Sequence, residues 1–331
     1  MKKLGLAIHG GAGTILRSQM TGALEAEYRS GLEHALKIGW KILEKGGSSL
    51  DAVEAAVCTL EDFPLFNAGR GAVFTREGKI DLDAAIMDGH RLIAGAVACV
   101  KNIKNPVKLA RLVMERTGHV LLTGDGANQF ARQMGVKAEP DEYFFTEHRW
   151  RQLQEAIATG RVQLDHAESI MPDSKFQTES DSEMWNLESG IQPSAKPLGT
   201  VGAVACDGNG FLAAATSTGG MTNKKFGRVG DTAIIGAGTY ADDTCAVSCT
   251  GHGEFFMLGV TAYDLAARMK YKGLGLEDAA NETIDHLTKI GGEGGLIAVD
   301  STGNLTLPFN SEGMYRGYVA SNGDIKIEIY R

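Results

Sequence analysis

Residues 198–220 constrain the fold more than any other part of this chain. The segment before them, 160–198, is dominated by Asp, Glu, Ser, Gln and Pro, with apolar residues only scattered, which is the composition of a linker. From Thr200 the sequence changes abruptly. Residues 201–205 and 211–215 are short apolar runs, and Asp207-Gly208-Asn209-Gly210 between them is hairpin punctuation. About forty residues without a core are uncommon inside a compact domain, and a cut at their end would account for them. Thr200 is thus either the first residue of a core strand or the first residue of a new chain. A second hydroxyl, Thr218, stands where the returning strand runs into Gly219-Gly220.

Composition narrows the classes. The 331 residues allow one large domain or two ordinary ones. With 33 Lys+Arg against 41 Asp+Glu, the net charge of −8 offers no basic field to nucleic acid or to an anionic membrane. The 43 glycines cluster in pairs at the ends of apolar runs, as tight turns and close backbone approaches do. Five cysteines (Cys58, Cys99, Cys206, Cys245 and Cys249) form no Cys-x-x-Cys, and most lie in apolar runs. They read as reduced thiols in a cytoplasmic protein, with Cys245 and Cys249 open to pairing in principle. No run reaches the length of a membrane helix, and the apolar stretch after Met1-Lys2-Lys3 is too short for a signal peptide.

The element pattern is mixed. A strand over 3–8 ends in His9-Gly10-Gly11-Ala12-Gly13. Apolar spacing predicts helices over 23–45 and 49–62, the second capped by Ser48 or Ser49. A hairpin follows at 79–87 and 92–100, then a helix from Asn105-Pro106 through Glu115, a strand at 120–122, and helices at 124–134 and 150–158. Beyond the central hairpin come strands at 234–238 and 245–249. One long helix at 254–269, apolar on most faces, reads as buried between layers. A helix at 276–289 and strands at 295–299, 304–308, 314–320 and 325–330 close the chain. This order suits an α+β sandwich with helices outside packed sheets rather than a doubly wound fold.

Several chemistries are excluded or weak. His9-Gly10-Gly11 begins the oxyanion motif of many esterases, but no Gly-x-Ser-x-Gly elbow accompanies it. The dinucleotide fingerprint and the P-loop are missing. Asp81, Asp83 and Asp88 alternate on a strand without a fourth ligand, which is weak evidence for a metal. Asn67 is either an Asx-turn residue or an amide aimed into a site.

What remains is nucleophilic. A Thr hydroxyl is a poor nucleophile unless a base stands beside it, and a chain-terminal Thr carries its own α-amine, with a pKa of about 7.7–8. Cutting the Gly199–Thr200 bond would create one, and Gly199 can adopt the backbone strain such a cut needs. Arg228 and Asp231 lie on one Gly-rich loop. The Arg fork suits a carboxylate and the Asp an ammonium, the two charges of a free α-amino acid; a local ion pair between them is the simpler alternative. Thr250-Gly251, between a strand and a helix, suits an oxyanion. His252 reads as structural.

This constellation resembles the plant-type L-asparaginase / isoaspartyl (β-aspartyl) peptidase family of N-terminal-nucleophile (Ntn) hydrolases over nearly the whole chain. The motifs that carry it are His9-Gly10-Gly11-Ala12-Gly13, Phe66-Asn67-Ala68-Gly69, the 199–205 run, Thr216-Ser217-Thr218-Gly219-Gly220, Gly227-Arg228-Val229-Gly230-Asp231 and Thr250-Gly251-His252-Gly253-Glu254. The resemblance implies a four-layer αββα sandwich and self-cleavage before Thr200. It implies an α subunit of 1–199, whose residues 160–199 are a flexible linker, and a β subunit of 200–331. The two would form one folded domain and assemble as a dimer of αβ heterodimers. The implied substrates are L-asparagine and isoaspartyl dipeptides. By position, Thr200 would be nucleophile and base, Thr218 its partner, and Thr250 with Gly251 the oxyanion hole. Arg228 would hold the substrate carboxylate, and Asp231 with the Gly253 carbonyl its amine. Asn67, on the other subunit from Thr200, would face the site and assist self-cleavage. No cofactor is implied for catalysis. A structural sodium would sit on backbone carbonyls of Leu60, Glu61, Phe63, Phe66, Ala68 and Arg70, where a loop that turns without an ion is the alternative. Two other functions stay open: a glycosylasparaginase, which cuts sugar-linked Asn, and a non-catalytic aspartate-binding homologue.

Overall fold

The computed structural model describes residues 4–159, 199–319 and 322–331. The expected linker at 160–198 lies outside the described residues. In chain order the first part contains β1 (Gly5–Gly13), α1 (Gly22–Glu44), α2 (Ser49–Glu61), β2 (Leu82–Asp88), β3 (Ile93–Val100), α3 (Pro106–Arg116), β4 (Leu121–Thr123), α4 (Gly124–Gln133), α5 (Asp141–Phe144) and α6 (Glu147–Ala158). After Thr200 come β5 (Val201–Cys206), β6 (Leu212–Thr218), β7 (Thr239–Ala241), β8 (Cys245–Gly251), α7 (Gly253–Gly259), α8 (Thr261–Lys272), α9 (Leu276–Lys289), β9 (Gly294–Asp300), β10 (Leu305–Thr306), β11 (Gly313–Val319) and β12 (Ile325–Tyr330).

Among the described residues, the strands form two sheets in the spatial orders β12-β11-β1-β5-β6-β2-β3-β4 and β10-β9-β8-β7. The sheets face each other through β1, β5 and β6 on one side and β8 and β9 on the other. Helices α1, α2 and α3 cover the outer face of the large sheet, and α8 and α9 that of the small one. The result is the αββα sandwich. Strands from either side of the Gly199–Thr200 bond interleave: β5 lies between β1, which precedes the bond, and β6, which follows it.

Local chemistry explains most elements. The Thr21 hydroxyl caps α1 by accepting from Leu24 N at 3.2 Å, and its buried face repeats as Tyr28, Leu32, Leu36, Trp40 and Leu43. Ser48 caps α2, accepting from Asp51 N at 3.1 Å. Strand β8 alternates by the pleat: Cys245, Val247 and Cys249 pack toward α8 and α9, while Ser248 faces between the sheets, where it bonds His9 and Thr216.

Some expectations fail for identifiable reasons. The first strand does not stop at residue 8; His9–Gly13 continues β1, pairing with β11 through a register shift between His9 and Gly11. Residues 234–238 form no strand but a turn, in which Ile234 N and Gly238 N both donate to Asp231 O. The long helix at 254–269 is two helices, broken at Val260 with φ 46°, and Leu258 and Val260 face outward, so it is not buried on all sides. Asn105 stands at the N-cap position of α3 with Pro106 after it, but its side chain makes no capping bond; its amide donates instead to Asp62 Oδ1 at 3.1 Å. The acidic trio holds no metal cluster among the described residues. Asp83 instead accepts from Cys99 N at 2.8 Å, and Asp88 accepts from His90 N and Arg91 N in the turn between β2 and β3. All five cysteines are free thiols.

The loop after α2 is anchored from below by Arg149 of α6, which is buried. Its guanidinium donates to Gly71 O at 2.8 Å and to Leu65 O at 3.1 Å, holding the segment that carries Asn67. Arg149→Met should leave the buried Gly71 carbonyl without this donor and Leu65 O with only the Tyr28 hydroxyl, and destabilise the protein by about 1–3 kcal/mol. Urea unfolding of the variant beside the parent chain checks this; equal midpoints would show that the anchor contributes nothing.

Candidate active site

Thr200 stands one residue before the ladders of β5 begin. Gly199 before it has φ 121°, a left-handed conformation that an L side chain rarely adopts. Gly11 packs directly against it; a Cβ on Gly11 would come within 3.0 Å of Gly199 N and Cα. The His9–Gly13 run therefore lies against the peptide bond before Thr200, a proximity that no local pattern reveals.

The Thr200 hydroxyl donates to Thr218 Oγ at 3.1 Å, and Gly220 N donates to the same oxygen at 3.0 Å. Together with Met221, Arg228, Gly230, Asp231, Thr232 and Gly251, these residues line a cavity of about 10 Å³, on the order of one water molecule. Asn67 stands behind this lining. It forms no Asx-turn: its amide donates to Gly220 O at 2.7 Å and its Oδ1 accepts from Val73 N at 3.0 Å. It thereby fastens the turn after Thr218 to the loop after α2. Gly219 must be glycine here, since a Cβ would meet Asn67 Oδ1 at 2.5 Å and Ala72 Cβ at 2.7 Å.

Arg228 and Asp231 do not form the local ion pair that was the simpler alternative for them. Arg228 makes a bidentate pair with Glu254, Nε to Oε1 at 2.9 Å and Nη2 to Oε2 at 2.8 Å, not with Asp231. Burial would raise the Glu254 carboxyl, but its two bonds from Arg228 hold it below the ordinary carboxylate range. Glu254 ends the Thr250–Glu254 motif and had no role in the sequence reading; only the approach of α7 to the Arg228 loop shows it.

Asp231 is buried, and Oδ2 has no hydrogen-bond partner among the described residues. Burial raises its pKa to about 7, against the opposing pull of the Arg228 charge. The Thr250 hydroxyl is likewise buried and unpartnered among the described residues. Gly251 beside it has φ 152°. Gly253 closes the group: a Cβ there would lie 2.8 Å from Asp231 Oδ1 and 2.9 Å from Arg228 Nη2. Asp231 and Thr232 on the cavity lining, with Thr250 next to its Gly251, are three side chains without a hydrogen-bond partner among the described residues, which is costly unless a ligand completes them. His252 packs edge-on against Phe255, and burial lowers its pKa, consistent with a structural part.

A family model described as asparaginase matches residues 2–329. The chain belongs to the asparaginase family. It is 49% identical to a Salmonella typhimurium protein named isoaspartyl peptidase, with all of both chains covered. To the isoaspartyl peptidase of Escherichia coli it is 47% identical, with all of this chain and 97% of the relative covered. A plant-type L-asparaginase of Pyrococcus horikoshii is 42% identical, with 95% of each chain covered.

In this member of the asparaginase family, the raised pKa of Asp231 has a consequence for stability. The folded-state value, about 7, lies above the ordinary 3.8. Below 3.8 the group is neutral folded and unfolded, so burial costs nothing; the cost grows as pH rises to about 7 and is constant above it. Asp231→Asn should therefore raise Tm at pH 8, on the order of 5 °C, and the gain should vanish as pH falls toward 4. Thermal unfolding across that range measures it, and a gain independent of pH would contradict the buried-carboxylate account.

Proposed function

We propose that this chain is an autoprocessing amidohydrolase that releases L-aspartate from isoaspartyl dipeptides and L-asparagine, with Thr200 as an N-terminal nucleophile. The observation that carries the reading is the Thr200–Thr218 pair on one cavity with Arg228 and Asp231. The family relation and the names of the relatives support it.

The chemistry follows from the residues present. Cleavage before Thr200 frees its α-amine. The amine takes the Oγ proton while Oγ, aimed by Thr218, attacks the side-chain carbonyl of the substrate. Thr250 Oγ–H and Gly251 N–H stabilise the oxyanion. The amine returns the proton to the leaving nitrogen, giving ammonia or the second amino acid and a β-aspartyl ester on Thr200. Water, deprotonated by the same amine, then attacks the ester and releases aspartate. Arg228 holds the α-carboxylate, for which it must open or share its pair with Glu254. Asp231 and the Gly253 carbonyl hold the α-ammonium, whose charge favours the ionised form of Asp231. The cavity of the uncut chain has room for about one water, so in this reading cleavage precedes the entry of substrate. Asn67 supports cleavage by fixing the Gly219–Gly220 turn.

The α subunit is 1–199 and the β subunit 200–331, joined as a dimer of heterodimers in the cytoplasm; the five free thiols fit a reducing compartment. We also assign a sodium ion to the carbonyls of Leu60, Glu61, Phe63, Phe66, Ala68 and Arg70, an all-oxygen set suited to a hard cation. Leu60, Phe63, Phe66 and Ala68 each already accept a bond within the loop, from Phe63, Phe66, Ala68 and Gly71 N. Phe63, Phe66 and Ala68 each keep a second lone pair for the ion, whereas Leu60 O also accepts from Asp62 N and would have to give up a bond to reach it.

Three outcomes are expected. Purified protein should convert from 35.2 kDa to two bands, and Thr200→Ala should neither convert nor turn over isoaspartyl-leucine; turnover by that variant would end the proposal. Arg228→Ala should raise KM by roughly 10- to 100-fold, the loss of a charge-assisted bond, whereas an unchanged KM would remove Arg228 from the substrate. Sodium chloride should raise Tm relative to choline chloride at equal ionic strength, and equal values would remove the ion.

A further inference from the structure

Beneath Thr200 lies a row of buried polar side chains to which the proposed mechanism gives no part. His9 Nδ1 is 2.9 Å from the carbonyl oxygen of Thr200, and His9 Nε2 is 2.9 Å from Ser248 Oγ. Ser248 Oγ is 2.7 Å from Thr216 Oγ, and Thr239 Oγ is 2.6 Å from Thr216 Oγ. His9, Ser248, Thr216 and Thr239 are all fully buried between the sheets. They come from four strands, two on either side of the sandwich: β1 and β6 in the large sheet, β8 and β7 in the small one.

Counting protons fixes the direction of the row. A carbonyl only accepts, so Nδ1 carries the proton. Burial lowers the His9 pKa to about 3, so the ring is neutral and Nε2 must accept. The proton of Ser248 is then committed to His9 and that of Thr216 goes to Ser248 at 2.7 Å rather than to the more distant Gly238 O at 3.4 Å; Thr239 in turn shares its proton between Thr216 Oγ at 2.6 Å and Thr232 O at 3.1 Å. The bonds run one way, Thr239 to Thr216 to Ser248 to His9 to the Thr200 carbonyl, an arrangement in which each bond polarises the next. Space for it is reserved at Gly202, where a Cβ would collide with both Ser248 Oγ and His9 Nε2.

The end of this row falls where the backbone needs it. The pairing of β1 with β5 stops at His9 opposite Gly202, so no ladder bond from β1 reaches Thr200. Once the chain before Thr200 is cut, that residue is a strand terminus, and free termini fray. We propose that His9, oriented by Ser248, is a positioning residue that pins the carbonyl of Thr200 and so keeps the terminal amine and hydroxyl in register with Thr218 and the oxyanion donors. The inference rests on Thr200 being the nucleophile.

Amide side chains separate the two ring nitrogens. In His9→Asn an amide nitrogen takes the place of Nδ1 and keeps the bond to Thr200; in His9→Gln it takes the place of Nε2 and loses it. The test is isoaspartyl-leucine kinetics on processed full-length protein, with each variant's processing rate followed by gel. His9→Gln should lower kcat by about 10²-fold, the scale of a misplaced reacting group, with KM within twofold because Arg228 and Asp231 are untouched. His9→Asn should recover most of that loss, and Ser248→Ala should lower kcat by about 10-fold, again with KM unchanged. Equal activity of His9→Asn and His9→Gln, a loss confined to KM, or full kcat in Ser248→Ala would overturn the positioning role. If neither His9 variant folds, Ser248→Ala decides alone. Thr200→Ala, run in parallel, separates the two ideas: its turnover would refute the nucleophile, whereas its inactivity beside indifferent His9 and Ser248 variants would refute only the positioning.

Discussion

The structure depends on a strand that is held from both sides and begins just after a buried peptide bond that lies outside its ladders. β5 is laddered to β1 and β6 at the centre of the large sheet, so Val201 onward is fixed whatever happens before it. Gly199 sits outside those ladders in a left-handed conformation. A peptide bond placed at that boundary can break without loss of the sheet, because the burial and backbone bonds that hold β5 lie on one side of it. Such an arrangement lets a chain acquire a new terminus inside a folded core.

The same sandwich decides where charge and hydroxyls can be kept. Its interior is mostly aliphatic, but the face of the small sheet that meets β1, β5 and β6 carries Ser248, opposed by His9 and Thr216. Buried polar groups persist only when their bonds are closed, and this row is closed through to Thr200. At the adjacent cavity, by contrast, Asp231 and Thr250 are left open among the described residues. One polar set is closed by the fold, and the other is left open among the described residues.

Much of this was legible in the chain itself. Helix periodicity found α1, α2 and α9 to within a residue or two, because capping residues and a repeating apolar face are local signals. The change in composition at Thr200 marked the start of β5. The helix break at Val260 and the turn at 234–238 were missed because their apolar runs carry no Pro and the deciding contacts are distant: the Asp231 carbonyl wraps the turn, and Val260 takes a left-handed φ between α7 and α8. Asn67 looked like a turn residue because its partners, Val73 and Gly220, are not its immediate neighbours.

The α+β class, the change of composition at Thr200, and the kinds of side chain later found around the cavity (a hydroxyl, a guanidinium, a carboxylate and a second hydroxyl beside glycine) can be read from the chain alone. Each of these is a property of one residue or one short run. Which groups meet is set by the packing of the two sheets. Arg228 pairs with Glu254 rather than Asp231, Gly11 lies against Gly199, and His9 reaches Thr200 across 191 positions of chain. Hydrogen bonds and burial act over a few ångströms of space, and distances along the chain do not report them until the two sheets have closed.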